Sequence, residues 1–200
     1  METDFAVELG PDDETLEIPW ADPESGLKYH DLKRHSELLS NIEEACRFPE
    51  LREFLAALNS VSSMFETAKC DVWSSTEMSA EDEIFGAAHK FGSYVDFLFS
   101  EETSCCSFPE HEKFARDLVQ LLKRAPEIPA LAEFLIRRGY YHLRNETQEG
   151  LYITFYLFGY GDDEPQARQR WAIALKLVEN AIKQVCAVAL NNGGRASPPV

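Results

Sequence analysis

Three stretches of the chain alternate apolar and polar residues, and this two-residue period predicts β-strands. They are Phe65–Ser75, residues 93–100 and residues 150–161. The last stretch is rich in β-branched and aromatic residues and is bounded by glycines, as strands often are. We expect these strands to form a small, mainly antiparallel sheet of about three strands.

Elsewhere apolar residues recur every three or four positions, which predicts five or six helices packed on that sheet. The longest covers residues 162–190 and has a regular apolar stripe. Such a stripe suits a coiled-coil seam or a helix packed on its own sheet, and its length of under three heptads favours the second. The other predicted helices cover residues 31–46, 48–60, 79–92, 109–122 and 129–143. Strands and helices in blocks indicate an α+β fold.

The two ends of the chain differ in composition from the middle. Residues 1–30 hold three prolines and two glycines, a density that excludes a regular helix and predicts an extended acidic arm. Leu16, Ile18 and Trp20 alternate within it, so we expect a few apolar contacts between the arm and the domain. Residues 31–190 form the predicted single α+β domain, and residues 191–200 are predicted to be a disordered tail.

The net charge of −16 is concentrated in two segments. Residues 1–30 contribute −8 and residues 77–102 contribute −6, together 14 of the 16 charges. This distribution disfavours nucleic acids and anionic membranes as partners, because both are bound by clustered Lys and Arg. A basic protein or a cationic ligand fits the charge, although solubility alone would also explain it.

The first residues show neither the basic n-region nor the small-residue cleavage site of a signal peptide, and no apolar run approaches the roughly 18 residues of a membrane span, so we expect a cytoplasmic protein. Five cysteines, odd in number and irregular in spacing, argue against a disulfide framework. Cys105 and Cys106 are adjacent, a pattern compatible with a metal or redox role. Without a CxxC motif, ordinary loop cysteines are the simpler interpretation.

Motifs of the common enzyme classes are missing from the sequence, including GxSxG, HExxH, GxxxxGK[ST] and GxGxxG. The five histidines are dispersed, and their spacing matches no zinc module. The sequence therefore predicts no metal site and no cofactor.

One face of the predicted sheet is the candidate functional surface. Alternate residues of each strand are uniformly apolar, and that face should pack against the helices. The opposite face mixes carboxylates, a lysine and aromatic rings, which is typical of polar ligand sites and interface centres. Its members are Lys69, Asp71, Trp73, Tyr94, Asp96, Tyr152, Thr154, Tyr156 and Tyr160.

Three functional hypotheses use this surface differently. In the first, the protein binds a partner, such as a basic protein that it inhibits, and the contact residues are Lys69, Trp73, Tyr94, Tyr152 and Tyr156. In the second, less favoured, the protein is an enzyme with Asp71 and Asp96 as the acid/base pair. In the third, the domain is structural or forms a homodimer through its last helix or its tyrosines. A cross-strand salt bridge with aromatic rings beneath the N-terminal arm would explain the same residues without any site.

Overall fold

The computed structural model describes residues 1–79, 82–143 and 146–193, and its centre is a mixed β-sheet. The order across the sheet is β1-β5-β6-β4-β3, and β2 continues along β5 beyond β1. β1 and β2 run parallel to β5, and the other neighbours are antiparallel. The strands are Glu2–Glu8 (β1), Thr15–Ile18 (β2), Phe65–Ser75 (β3), His89–Phe99 (β4), Ala130–Leu143 (β5) and Glu146–Gly161 (β6).

Helices lie between the strands and after the last one. The α-helices are Glu43–Arg47 (α1), Pro49–Leu58 (α2), Glu102–Cys105 (α3), Phe108–Leu122 (α4) and Glu164–Gly193 (α5), and Ser36–Asn41 and Asp82–Phe85 form 3-10 turns. Pro49 and Pro109 lie in the first turns of α2 and α4, where a helix does not need the missing N–H.

The main core lies between one face of the sheet, here called the inner face, and the helices α2, α4 and α5. Phe97 of β4 and Phe155 of β6 are fully buried in it, together with Trp171 of α5. The apolar stripe of α5 therefore packs on the chain's own sheet, as the sequence pattern predicts. The predicted division of β3, β4 and β6 into an apolar and a polar face is also present.

The α+β class is confirmed, but the prediction of a small sheet of about three mainly antiparallel strands against five or six helices is wrong. The sheet has six strands and is mixed. Among the described residues, three helices reach ten residues or more, α2, α4 and α5.

The largest single error is β5, which was expected to be a helix. Its Ala, Leu, Glu and Arg residues favour helices, but Ala130, Ala132, Phe134 and Ile136 alternate and are fully buried on the inner face. Burial between β6 and β1 outweighs the weak helical preference, because local propensity is a small term beside packing.

The remaining boundaries also differ in detail. Residues 1–30, expected to be an arm, contain β1 and β2, which pair with β5. The predicted helix over residues 79–92 is a short turn, Asp82–Phe85, followed by β4; residues 80 and 81 lie outside the described part. Of the expected tail, α5 continues through Gly193 and residues 194–200 lie outside the described residues.

β1 and β3 stand at the two ends of the strand order, and each has one backbone N–H that donates to the carboxylate of the preceding residue. In β1, Phe5 donates its N–H to the Asp4 carboxylate at 2.9 Å, and in β3, Val72 donates to Asp71 at 2.7 Å. An N–H taken by its neighbour's carboxylate is not available to another strand, which discourages pairing at the edges.

Candidate functional site

The face of the sheet opposite α2, α4 and α5, here called the outer face, has three zones along the strands. At one end an apolar cluster is covered by the N-terminal segment. A row of buried polar side chains follows, and beyond it lies a patch of half-buried aromatic rings. The candidate site is built from the last two zones.

The covered end is a second hydrophobic cluster, separate from the main core. Its buried members are Leu16, Ile18, Leu98, Cys105, Tyr141 and Tyr152. β2 brings Leu16 and Ile18 onto the sheet, and the following Trp20 donates its indole N–H to the Ala68 carbonyl at 2.8 Å. This contact ties the N-terminal segment to β3, so the segment is part of the packed structure at this end.

The buried polar row links four strands through Arg137. Thr154 donates its hydroxyl to the Asp96 carboxylate at 2.7 Å, and Arg137 donates to Thr154 at 3.2 Å. Arg137 also donates to the carboxylates of Glu8 and Glu14, both at 2.8 Å. The row therefore joins β4, β6 and β5 to β1 and to the loop before β2.

Asp96 is the most perturbed carboxylate of this row. Only 4 % of the residue is exposed, and this burial raises the pKa of Asp96 to about 6, although the hydrogen bond from Thr154 and the charges of Lys69 and Arg137 act in the opposite direction. A carboxyl group with this pKa changes its charge close to neutral pH.

The third zone is a cluster of four rings, here called the open patch: Trp73, Tyr94, Tyr156 and Phe158. All four are half-buried, and their ring centroids lie 5.9 Å apart for Tyr94–Tyr156 and for Trp73–Phe158. Gly92 of β4 makes the arrangement possible, because a Cβ at this position would lie 2.8 Å from the Trp73 ring and 3.0 Å from Phe158.

Carboxylates stand at both ends of the central row of the open patch. Across the sheet the register runs from Asp71 through Tyr94, Tyr156 and Glu133 to Asp4. Five strands at a spacing of about 4.8 Å make this row roughly 19 Å wide. Burial and the neighbouring carboxylates raise the pKa of Tyr94, so its phenol stays neutral and can donate a hydrogen bond.

A groove of about 580 Å³ separates the covered end from the open patch beside β3. The ammonium group of Lys69 lies 4.9 Å from the centroid of the Trp20 ring in this groove, a cation–π distance. The charged side chains that line the groove are Glu17, Asp22, Glu44, Lys69 and Asp71. Four carboxylates against one ammonium group leave it strongly acidic.

The predicted binding residues fall into different zones. Trp73, Tyr94 and Tyr156 come together in the open patch, Lys69 lies in the groove, and Tyr152 is only 1 % exposed within the covered end. A partner that docks on the folded outer face would not reach Tyr152.

The two candidate catalytic carboxylates share the outer face but differ in surroundings. Asp71 is exposed and accepts the N–H of Val72, whereas Asp96 is buried and accepts the hydroxyl of Thr154. The groove is therefore lined by Asp71 and not by Asp96.

Phe158 and the residues of β1 and β5 were missing from the sequence-based surface. Continuing the alternation of β6 by two residues beyond Tyr156 would have found Phe158. Glu133, Arg137 and Asp4 could not be found in the same way, because the pattern of β5 predicts a helix and that of β1 predicts an unpaired arm.

No protein-family model, curated protein or solved structure matches this chain. Within the described ranges, no helix combines the length and apolar character needed to cross a membrane. The same part of the chain contains no group of three or more His, Cys, Asp or Glu side chains arranged to hold a metal ion.

Proposed function

We propose that this protein is a binding protein that docks a basic protein partner on the open patch. The observation that carries the proposal is the row of aromatic rings with a carboxylate at each end. Clustered Tyr and Trp side chains supply rigid contact area that is typical of interface centres. The carboxylates of Asp71, Glu133 and Asp4 give the same row a preference for positive charge.

The overall charge supports a basic partner. A protein with a net charge of −16 attracts basic proteins over several ångströms and repels acidic ones, which speeds association with the former. The groove beside β3 extends the acidic surface and is suited to an Arg or Lys side chain of that partner.

A cytoplasmic location is part of the proposal. The five cysteines are free thiols in the structure, as is usual in reducing compartments. Inhibition of the bound partner is one consequence that such a docking surface would have.

The proposal is tested by comparing proteins retained from a cell extract by the wild type and by the double variant Tyr94→Ala/Tyr156→Ala. We expect a basic protein retained by the wild type alone. With that protein purified, its dissociation constant should rise at least about fivefold for the single variants Tyr94→Ala and Tyr156→Ala, since central interface aromatics typically contribute more than about 1 kcal/mol.

The control variants are Ile173→Ala and Val61→Ala, which remove exposed apolar side chains away from the patch. They should leave binding unchanged. The association rate with the purified partner should fall steeply as salt is added. An acidic partner, a salt-insensitive association rate, or equal affinity for the wild type and the patch variants would overturn the proposal.

A further inference from the structure

Two adjacent thiols lie beside the covered end of the sheet. Cys105 is the last residue of α3, Cys106 follows it, and their sulfur atoms are 3.4 Å apart. The two differ in access, because Cys105 is 3 % exposed within the second hydrophobic cluster and Cys106 is exposed to solvent. The Cys106 sulfur is therefore accessible to reagents in solution, and the buried Cys105 sulfur lies 3.4 Å from it.

The surroundings enclose Cys105 more closely than Cys106. The Cys105 thiol donates to the Glu102 carbonyl at 3.1 Å, and the backbone of β6 packs against the Cys105 carbonyl. A Cβ at Gly150 would lie 2.9 Å from that carbonyl oxygen. The Cys106 sulfur accepts a hydrogen bond of 3.0 Å from the side chain of Gln148, and the Cys106 backbone N–H donates to the Ser104 carbonyl. Closing the 3.4 Å contact to a bond of about 2.05 Å requires rotation of the Cys106 side chain and an adjustment of the backbone between the two residues.

We propose that Cys105 and Cys106 form a reversible thiol–disulfide exchange site for small disulfides such as oxidised glutathione. In the first step the Cys106 thiolate attacks one sulfur of the small disulfide. The disulfide bond breaks, Cys106 keeps one half as a mixed disulfide, and the other half leaves as a thiolate that takes up a proton.

In the second step the Cys105 thiolate attacks the Cys106 sulfur. The Cys105–Cys106 bond forms, and the second half leaves as a thiolate and is protonated. Overall two protein thiols are oxidised and one small disulfide is reduced to two thiols, so atoms and electrons balance. This inference goes beyond the proposed docking function and does not depend on it.

The site is suited to a switch and poorly suited to a structural crosslink. A disulfide between adjacent residues closes the shortest loop a chain can form, so it constrains the unfolded state very little. Bonds that contribute little to stability are also the ones that are easily reduced again.

Burial gives the reaction a pH signature. It raises the pKa of the Cys105 thiol to about 12, an effect that the neighbouring Cys106 strengthens. Since the thiolate is the attacking species, ring closure should be slow at neutral pH and should accelerate by about tenfold for each pH unit.

The test uses the full chain with Cys46→Ser, which removes the other exposed cysteine, treated with oxidised glutathione and quenched with acid. Intact mass and peptide mapping should show a mixed disulfide at Cys106 that converts to a species two hydrogens lighter than the reduced protein. The conversion should be faster at pH 9 than at pH 7.

Two comparisons make the test decisive. When Cys105→Ser is added, the mixed disulfide at Cys106 should persist. In the wild type, Cys46 has no adjacent cysteine, so its mixed disulfide should persist as well. If the adduct at Cys106 lasts as long as the adduct at Cys46 at both pH values, the proposal is overturned. It is equally overturned if Cys105 reacts as fast when Cys106 is replaced by Ser.

Discussion

The covered end and the open patch occupy the same face of the same sheet, yet one is interior and the other is surface. Tyr152 and Tyr156 are four residues apart on β6 and point the same way. Tyr152 is buried under Leu16 and Ile18, whereas Tyr156 is half-exposed among other rings. The difference is made by the N-terminal segment, in which β2 extends the sheet beside β5 and Trp20 after it reaches β3 at one end of the face.

This comparison shows that an aromatic side chain on a sheet is not assigned to core or surface by its own strand. An aromatic ring is part of the core where another segment covers it, and it stays partly exposed to solvent where none of the described residues covers it. The boundary is the buried row around Arg137, whose hydrogen bonds to Glu8 and Glu14 hold the N-terminal segment in place.

The largest effect should come from truncating matched tyrosines on the two sides of this boundary. Tyr152→Ala should lower the free energy of unfolding by about 3–5 kcal/mol, because it leaves a cavity beside the buried Leu16 and Ile18 side chains. Tyr156→Ala should lower it by about 1 kcal/mol or less, since its ring is not enclosed. Urea unfolding followed by circular dichroism measures both. Equal losses would mean that the open patch is as much a part of the core as the covered end.

The next effect concerns the residue that joins the N-terminal segment to the sheet. Arg137→Met should lower the free energy of unfolding by about 1–3 kcal/mol, less than for a fully buried pair because Glu8 and Glu14 are partly exposed. Arg116→Met, which removes a surface ion pair with Glu112, is the control and should change stability by about 0.5 kcal/mol or less. Amide exchange in β2 should increase only in the Arg137 variant.

A third prediction uses the pH dependence of Asp96. The pKa is about 6 in the folded protein and about 3.9 in the unfolded chain. Between these values the folded state holds the proton more tightly, so this group's contribution to stability falls as pH rises from 4 to 6 and stays low above 6.

Asp96→Asn removes this penalty while keeping an oxygen that accepts the Thr154 hydroxyl. Relative to the wild type, the variant should gain about 2–3 kcal/mol between pH 4 and pH 7.5, since one pKa unit corresponds to about 1.4 kcal/mol. Urea unfolding of both proteins at the two pH values gives the difference, in which other titrating groups cancel. If the two proteins differ in free energy of unfolding by the same amount at both pH values, burial does not raise the pKa of Asp96.

The smallest effect should be seen within the open patch itself. Gly92→Ala places a methyl group against the Trp73 and Phe158 rings and should cost about 1 kcal/mol, because both rings can move toward solvent. With 5-fluorotryptophan incorporated, the Trp73 resonance should shift while that of the buried Trp171 should not. A shift of both resonances would indicate that the patch is packed into the main core.

The strands that could be predicted are those whose pattern is strong on its own. β3, β4 and β6 alternate clearly between apolar and polar residues, so their apolar residues could be assigned to the core. β5 could not be recognised, because its residues favour a helix when considered alone and become a strand only between two neighbours. β1 and β2 are short and lie in a proline-containing acidic segment, so their pairing with β5 was hidden as well.

The candidate site shows the same division. The two-residue period of each strand was enough to place Trp73, Tyr94 and Tyr156 on one face of the sheet. Their contact required the register between strands, which alternation does not specify. The burial of Tyr152 required contacts with β2, a segment more than a hundred residues away from β6 in the chain.

The sequence by itself determined the α+β class, the long final helix, the acidic charge and the side of each strong strand that faces the core. These follow from local periodicity and composition, which act over a few residues. Only the tertiary structure decided that β5 is a strand, that two N-terminal strands complete the sheet, and that half of the outer face is covered. Those outcomes depend on contacts between distant segments, where burial of apolar surface outweighs local preference.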